Sequence, residues 1–337
     1  MEGYVKKPHL RDFEFAKKHD YETVDNINKE PPFLVDVLNR FRQKKAAKVA
    51  FIVIVIFVLM SILMPIISSR KYDEQTIEHS YLPPKMPLLE NLGIFNGQMN
   101  GQDMYKNKDA QDRYYIFGTD DLGRDIWVRV WKGAQVSLYM ALIAIIIDLV
   151  IGVIYGLVSG YYGGTVDMIM QRFIEILNGI PDTVIVTLLV LIMKPGIKSI
   201  TLALVIKGWI GMSRVTRAQV LKLKNQEFIL ASRTLGSSNL KIIFKEILPN
   251  IMGQLIVMSM FSIPSAIFTE AFLAFIGLGL QPPNASLGVL ISDGFKSFLS
   301  SPHMVLFPTI ILSVLMFSFN ILADGLRDAF DPTLKDR

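Results

Sequence analysis

Long uncharged apolar runs alternate with short polar stretches along most of the chain. Val49 to Ser69 carries no charge and is about twenty residues long, enough for a helix to cross the hydrocarbon core of a bilayer. Five more apolar runs follow. Ala134 to Ser159 contains one charge, Asp148. Val166 to Met193 opens with Asp167, Arg172 and Glu175 and holds Asp182 after Pro181. Ile197 to Val215 contains Lys207, Asn250 to Phe275 contains Glu270, and Met304 to Leu326 has Asp324 near its end. The pattern predicts an all-α membrane protein with six transmembrane helices. The short connections at Gly160–Thr165 and Lys194–Lys198 suit antiparallel neighbours.

The polar stretches divide the chain. Residues 1–32 are mixed in charge and poorly periodic, as in a cytoplasmic tail. Over 33–45, Phe33, Leu34, Val37, Leu38 and Phe41 share one helical face, and Arg40, Arg42, Lys44 and Lys45 supply a basic end. This predicts an amphipathic helix in the membrane interface, or the frayed start of the first span. The first transmembrane helix is placed at 46–69 and an extracellular cap loop at 70–132, rich in Asp, Pro, Gly and Asn. A loop of that length reads as a folded cap or a partner-binding surface. A five-helix core follows over 133–328, then a short cytoplasmic tail at 329–337.

One polar stretch inside that core is patterned. In QEFILASRTLGSSNLKIIFKEILPN, Gln226 to Asn250, apolar residues recur at helical spacing: Phe228, Ile229, Leu235, Leu240, Ile243 and Ile247. Gly236 reads as a helix stop, Ser237 to Asn239 as N-cap candidates, and Leu248-Pro249 as the end of a second helix. Two short amphipathic helices on the membrane surface present an apolar ridge that needs a protein partner.

Charge sets the orientation. Seven Lys/Arg lie between Arg214 and Lys245, against two at Lys194 and Lys198, and Lys44, Lys45 and Lys48 precede the first span. The positive-inside rule then puts both termini in the cytoplasm. The net charge of +5 belongs to this topology, so no nucleic-acid partner is expected. The chain has no cysteine, which excludes disulfides and thiolate metal sites. His9, His19, His79 and His303 stand at no ligand spacing. No G-x-x-x-x-G-K-S/T, HExxH or nucleophile elbow occurs, and SGYYGG at Ser159 to Gly164 is a lone glycine-rich turn. Neither an ATPase site nor any cofactor is expected.

The segment FGTDDLGRDIWVRVWKGAQVSL, Phe117 to Leu138, enters the second span. Gly118 and Gly123 permit tight turns, and Asp120, Asp121, Arg124 and Asp125 are placed to lock a loop by ion pairs. Trp127 and Trp131 suggest an interfacial aromatic belt. The segment resembles GTDxLGRDxxxRxxxGxxxSL of dipeptide and oligopeptide permeases, the OppC/DppC type. Gly118, Thr119, Asp120, Leu122 to Asp125, Arg129, Gly133, Ser137 and Leu138 all match. LENLGIFNG, Leu89 to Gly97, is similar to the longer external loop of Gram-positive members. The Gln226 to Asn250 stretch resembles the EAA loop of ABC importer permeases, with Ala231, Ser232, Gly236, Leu248 and Pro249 in register. Leu230 replaces the usual acid and Glu246 the usual Ile.

The resemblance covers about residue 33 to the end and implies a type I ABC importer permease fold. It also implies partners: a second, different permease, two ABC ATPases and an extracellular peptide-binding lipoprotein, in a bacterial cell membrane. It makes the loop at 219–249 the coupling region that docks on an ATPase. The cargo implied is a peptide, with nickel or another small solute as the alternative within the same family.

A charge at mid-bilayer must face protein or water. Asp148, Asp182, Lys207 and Glu270 are therefore candidates for a polar pathway. The alternative is structural: Asp182 and Glu270 near span ends, or Lys207 neutralising one acid. Asp148 at matching depth is the first expected partner of Lys207, and Glu270 the second. Arg172 and Glu175 read as an (i, i+3) pair. Two other function classes are weighed. A secondary transporter would show inverted repeats and discontinuous helices, and neither is evident. A membrane-anchored enzyme would need a catalytic constellation in the external loop.

Overall fold

The computed structural model describes residues 33–330, apart from 88 and 100. The tails expected at 1–32 and over most of 329–337 lie outside the described residues, as do the side chains of Phe33 and Leu34. The fold is helical, with one two-residue antiparallel hairpin in the cap that pairs Gln98 with Asp103 and Met99 with Gln102.

Helix α1 (Phe33–Gln43) breaks at Lys44 and α2 (Lys45–Ile67) follows. Two of its basic residues are engaged within the chain rather than left for headgroups. Arg40 pairs with Asp36 at 2.5 Å, and Lys44 with Asp328 at 2.7 Å. The second pair ties the start of α2 to the end of the last helix.

The cap carries the short helix α3 (Met104–Asn107) and a small core of Leu82, Tyr105, Ala110 and Tyr115. Helix α4 (Ile126–Ile147) leaves the cap and continues through a π turn, Asp148–Gly152, into α5 (Val153–Tyr162). The run reaches 37 residues, longer than the span expected at Ala134–Ser159.

Helices α6 (Gly164–Gly179) and α7 (Asp182–Met193) form one bent pair, with an angle of 73° between them. Pro181 lacks an N–H, and Ile180 before it is held extended, so the helix cannot run through. The expected span Ile197–Val215 is also divided, into α8 (Ile197–Lys207) and α9 (Ile210–Leu223). Discontinuous helices are therefore present where unbroken spans were expected.

Helix α10 (Glu227–Thr234) is followed by α11 (Asn239–Ile242), a π turn at Ile243–Ile247 and α12 (Leu248–Phe275). Leu248-Pro249 does not end a helix, because Asn239–Phe275 is one helical run. Pro249 sits in the first turn of α12, directly after the wide turn, where a missing N–H costs least. Helices α13 (Leu287–Lys296) and α14 (His303–Phe330) are the last two among the described residues. Among the described residues four helices are long and apolar enough to cross a membrane, or five if the bent pair is one span.

The main core lies between α2, α4, α12, α13 and α14, around Phe57, Trp131, Ile267, Leu287, Phe307 and Leu315. Trp131 belongs to this core, 4% exposed and edge-on to Phe57 at 5.5 Å, so it is no lipid-facing belt residue. Trp127 packs on Phe117, which stacks on Phe307 of α14 and joins cap to bundle. A second core joins α5 to α9 and to the loop at 219–249. Its tightest contact is a glycine stripe. A Cβ on Gly156 or Gly160 would come within 3.0 Å of the α9 backbone, and one on Gly152 within 2.8 Å of the Trp209 carbonyl just before it. Only side-chain-free positions allow the two helices so close.

Candidate functional site

Three regions hold the residues singled out by sequence. In the first, the cap motif, Gly118 (φ +79°) and Gly123 (φ +70°) make left-handed turns against neighbouring backbone. A Cβ on Gly118 would stand 2.4 Å from the Leu82 carbonyl and one on Gly123 1.8 Å from the Thr76 carbonyl, so neither tolerates a side chain. Thr119 accepts from the Leu82 N–H at 2.8 Å and donates to the His79 carbonyl at 2.5 Å. Asp120 is buried and takes Arg124 Nε at 2.6 Å on one oxygen, with the N–H groups of Leu122 and Arg124 on the other. Arg129 Nε approaches the first oxygen at 3.3 Å. Asp125 stands apart from this cluster. It caps α4 through the Trp127 N–H at 2.9 Å and pairs with Arg70, also at 2.9 Å. The expected cluster of Asp120, Arg124 and Asp125 is thus two sites, because the turn at Gly123 sends Asp125 into the helix start. Burial raises the Asp125 carboxyl above its ordinary range, and Arg70 only partly opposes this. Burial also lowers the pKa of His79, whose Nδ1 lies 2.8 Å from the Tyr115 hydroxyl.

The second region is the loop at 219–249. Gly236 is left-handed, with φ +81°, and closes α10 with N–H bonds from Gly236 to Arg233 and from Ser237 to Ser232. Ser238 caps α11. The apolar ridge divides in two. Ile229, Ile242, Ile243 and Ile247 are buried against Val153, Leu157 and Tyr161 of α5. Phe228, Leu230, Leu240 and Phe244 are exposed, and Leu235 most of all at 86%. Ala231 and Ser232 lie on α10, where the Ser232 hydroxyl donates to Glu246 at 2.7 Å. One of the two small-motif positions, Ser232, is thereby linked across the loop to the residue that departs from the usual Ile.

The third region is a groove of about 830 Å³ between α4, α7, α8, α9 and α12. Asp148, Asp182, Lys207 and Arg214 line it, with Ser262, Thr269, Phe268 and Phe272. Several wall residues are exposed, so the groove is open along one side. Lys207 ends α8 and meets the break in the bent pair: its ammonium donates to the Ile180 carbonyl at 2.7 Å and pairs with Asp182 at 2.5 Å. Its partner is neither Asp148 nor Glu270. The Pro181 bend turns Asp182 toward the end of α8, a geometry that depth along straight helices does not reveal. Two further ties hold the pair. Asp167 receives a two-pronged bond from Arg217 at 2.6 and 2.5 Å, and Asn178, with its amide oxygen turned inward, accepts from Arg214 at 2.6 Å. Arg172 and Glu175 form an exposed pair at 2.6 Å. Glu270 is not brought to the groove. It is buried toward α4, accepting from Ser137 at 3.1 Å.

Sequence reasoning missed the Asp167–Arg217 tie and the role of Gly152, Gly156 and Gly160. The second had a readable signal, small residues four apart on one helix face.

A helical bundle with discontinuous helices surrounds an open, largely apolar groove that carries a few charges, and a loop outside it exposes apolar side chains. Residues 152–336 match the binding-protein-dependent transport system inner membrane component family, and the chain belongs to that family. Residues 32–84 match the N-terminal TM domain of oligopeptide transport permease C. The chain is 42% identical to the oligopeptide transport system permease protein OppC of Bacillus subtilis, over 89% of this chain and 90% of that one. It is 40% identical to the dipeptide transport system permease protein DppC of the same organism, over 89% and 86%. In fold it is similar to a chain of the MetNI methionine ABC transporter, with a TM-score of 0.51 and 16% identity over 61% of this chain and 98% of that one.

Proposed function

We propose that this chain is the permease subunit of an ABC importer that moves oligopeptides or dipeptides inward. The observation that carries the reading is the 42% and 40% identity, over almost the whole chain, to permeases named for those cargoes. The same names favour peptide over nickel, and family membership stands against a secondary transporter or an anchored enzyme. ATP is hydrolysed on two separate ATPase subunits. A second, different permease completes the pathway, and an extracellular peptide-binding lipoprotein delivers the cargo. The chain crosses a bacterial plasma membrane six times, with both termini in the cytoplasm. Residues 70–132 form the extracellular cap, and Leu230, Ala231, Ser232, Gly236, Leu248 and Pro249 belong to the ATPase-coupling loop. The exposed ridge of Phe228, Leu235 and Leu240 supports that docking, since apolar side chains outside the bilayer need a partner. Gly118 to Asp125 fix the cap on the bundle. The groove lined by Asp148, Asp182 and Lys207 is this subunit's half of the pathway, and Glu270 stands outside it.

Deleting the gene in a host auxotrophic for one amino acid tests the reading. Growth on that amino acid supplied as a tripeptide should be lost, and growth on the free amino acid kept. Unchanged growth on the peptide, with nickel accumulation lost instead, would contradict it.

A further inference from the structure

The charges that line the groove are not equivalent. Lys207 and Asp182 neutralise each other, and Arg214 is engaged by Asn178. Asp148 is left: it is 4% exposed, lines the groove, and has no ion-pair partner among the described residues. Ser262, whose hydroxyl donates to the Met258 carbonyl at 3.3 Å, lines the same groove, and Phe261, Phe268 and Phe272 supply apolar wall nearby. Asp148 also opens the π turn between α4 and α5. Such turns re-aim one side chain out of a helix and cluster at functional sites. The two halves of this helix are packed independently: α5 is clamped to α9 through the glycine stripe, whereas α4 packs on α2 and α12. The bulge falls between the two packings and is held by both.

A carboxylate buried at this depth, with apolar walls and no cation of its own, is completed by a cation that arrives. A peptide carries one as its terminal ammonium or on a basic side chain. We propose that Asp148 is the point at which the groove holds an ammonium group of the passing peptide, and so sets a preference among cargoes. This rests on the reading of the groove as half of the peptide pathway. The ammonium makes a charge-assisted hydrogen bond to Asp148 while the peptide's apolar side chains lie against the phenylalanines. Because the groove is open along one side, the contact is made and released without unfolding any helix.

The absence of cysteine from this chain gives a direct test. Ser265 is exposed and lines the same groove, so Ser265→Cys is the one site in this subunit for a neutral maleimide. Labelling is measured on the permease–ATPase complex in nanodiscs, without the binding protein, against increasing trialanine. Trialanine should slow labelling in Ser265→Cys. In Ser265→Cys with Asp148→Asn, half-protection should need roughly tenfold more trialanine, the loss expected for one hydrogen bond to a charged group. N-acetylated trialanine should protect weakly and equally in both. An N-acetylated tripeptide with a central lysine assigns the source. Protection that needs Asp148 means a side-chain ammonium is also accepted, and its absence restricts the contact to the terminal one. Asp148→Glu keeps the charge and should keep the ammonium-dependent protection, so a loss confined to Asn is not a folding effect. Equal protection by trialanine with and without Asp148 would overturn the proposal and leave the pathway reading standing. Protection by no peptide in either background would overturn both.

Discussion

The cap motif and the membrane groove use the same side chains to opposite ends. In the cap, Asp120 and Arg124 are buried together, and every Asp120 oxygen is met by a backbone N–H or a guanidinium. In the groove, Lys207 holds an Asp182 that is 72% exposed, and Asp148 has no ion pair among the described residues. A fully satisfied, buried pair fixes geometry, and removing one partner strands a charge. A pair at the edge of open space contributes little to stability and remains free to exchange partners. Burial together with partner count, rather than charge itself, separates the two roles.

The largest effect should come from the cap. Arg124→Ala leaves Asp120 buried without its main partner, and removing one side of such a pair costs about 3–5 kcal/mol. The measurement is thermal stability of the purified complex, which should fall together with assembly. A variant that assembled normally and changed only peptide affinity would break the contrast. Gly236→Val comes next. No atom lies within 4 Å of the added Cβ, so the strain is that of a β-branched residue at φ +81°, about 1–3 kcal/mol and confined to the loop at 219–249. Peptide-stimulated ATP hydrolysis should fall while membrane insertion is unchanged, and normal stimulation would count against the docking assignment.

Lys207→Met sharpens the other side. The pair it removes is half open to solvent, so assembly should change little, while peptide transport should fall. The reverse result, poor expression with normal specific transport, would make the pair structural. The smallest effect is that of His79. Burial lowers its pKa from the ordinary value of about 6.5, so the unfolded cap takes up a proton more readily than the folded one. Its contribution is complete above about pH 6.5 and is lost as pH falls toward the lowered value. Hydrogen-exchange protection of the cap should decline slightly between pH 7 and 5, and His79→Gln should flatten that decline.

Much of this was legible in the chain. Charge-free length located α2 and α14, because in lipid a helix satisfies its own backbone and needs only apolar side chains. Gly236 and Ser238 marked the corner of the loop at 219–249, because the left-handed stop and the cap are local chemistry. The partner of Lys207 was not legible. Depth along straight helices pointed to Asp148, but Pro181 bends its helix by 73° and brings Asp182 instead. Nor could the alternation of apolar residues in the loop tell Ile229 and Ile243, buried by α5, from Leu235 and Leu240, which are left outside. That division depends on how closely α5 and α9 approach, which the stripe of Gly152, Gly156 and Gly160 sets.

The account is tested most directly by uptake of radiolabelled trialanine into proteoliposomes that hold the complete importer. It predicts uptake that requires ATP and this subunit, and that falls in Lys207→Met while the complex stays intact. Uptake driven by an ion gradient without ATP, or full uptake by the Lys207→Met complex, would contradict it.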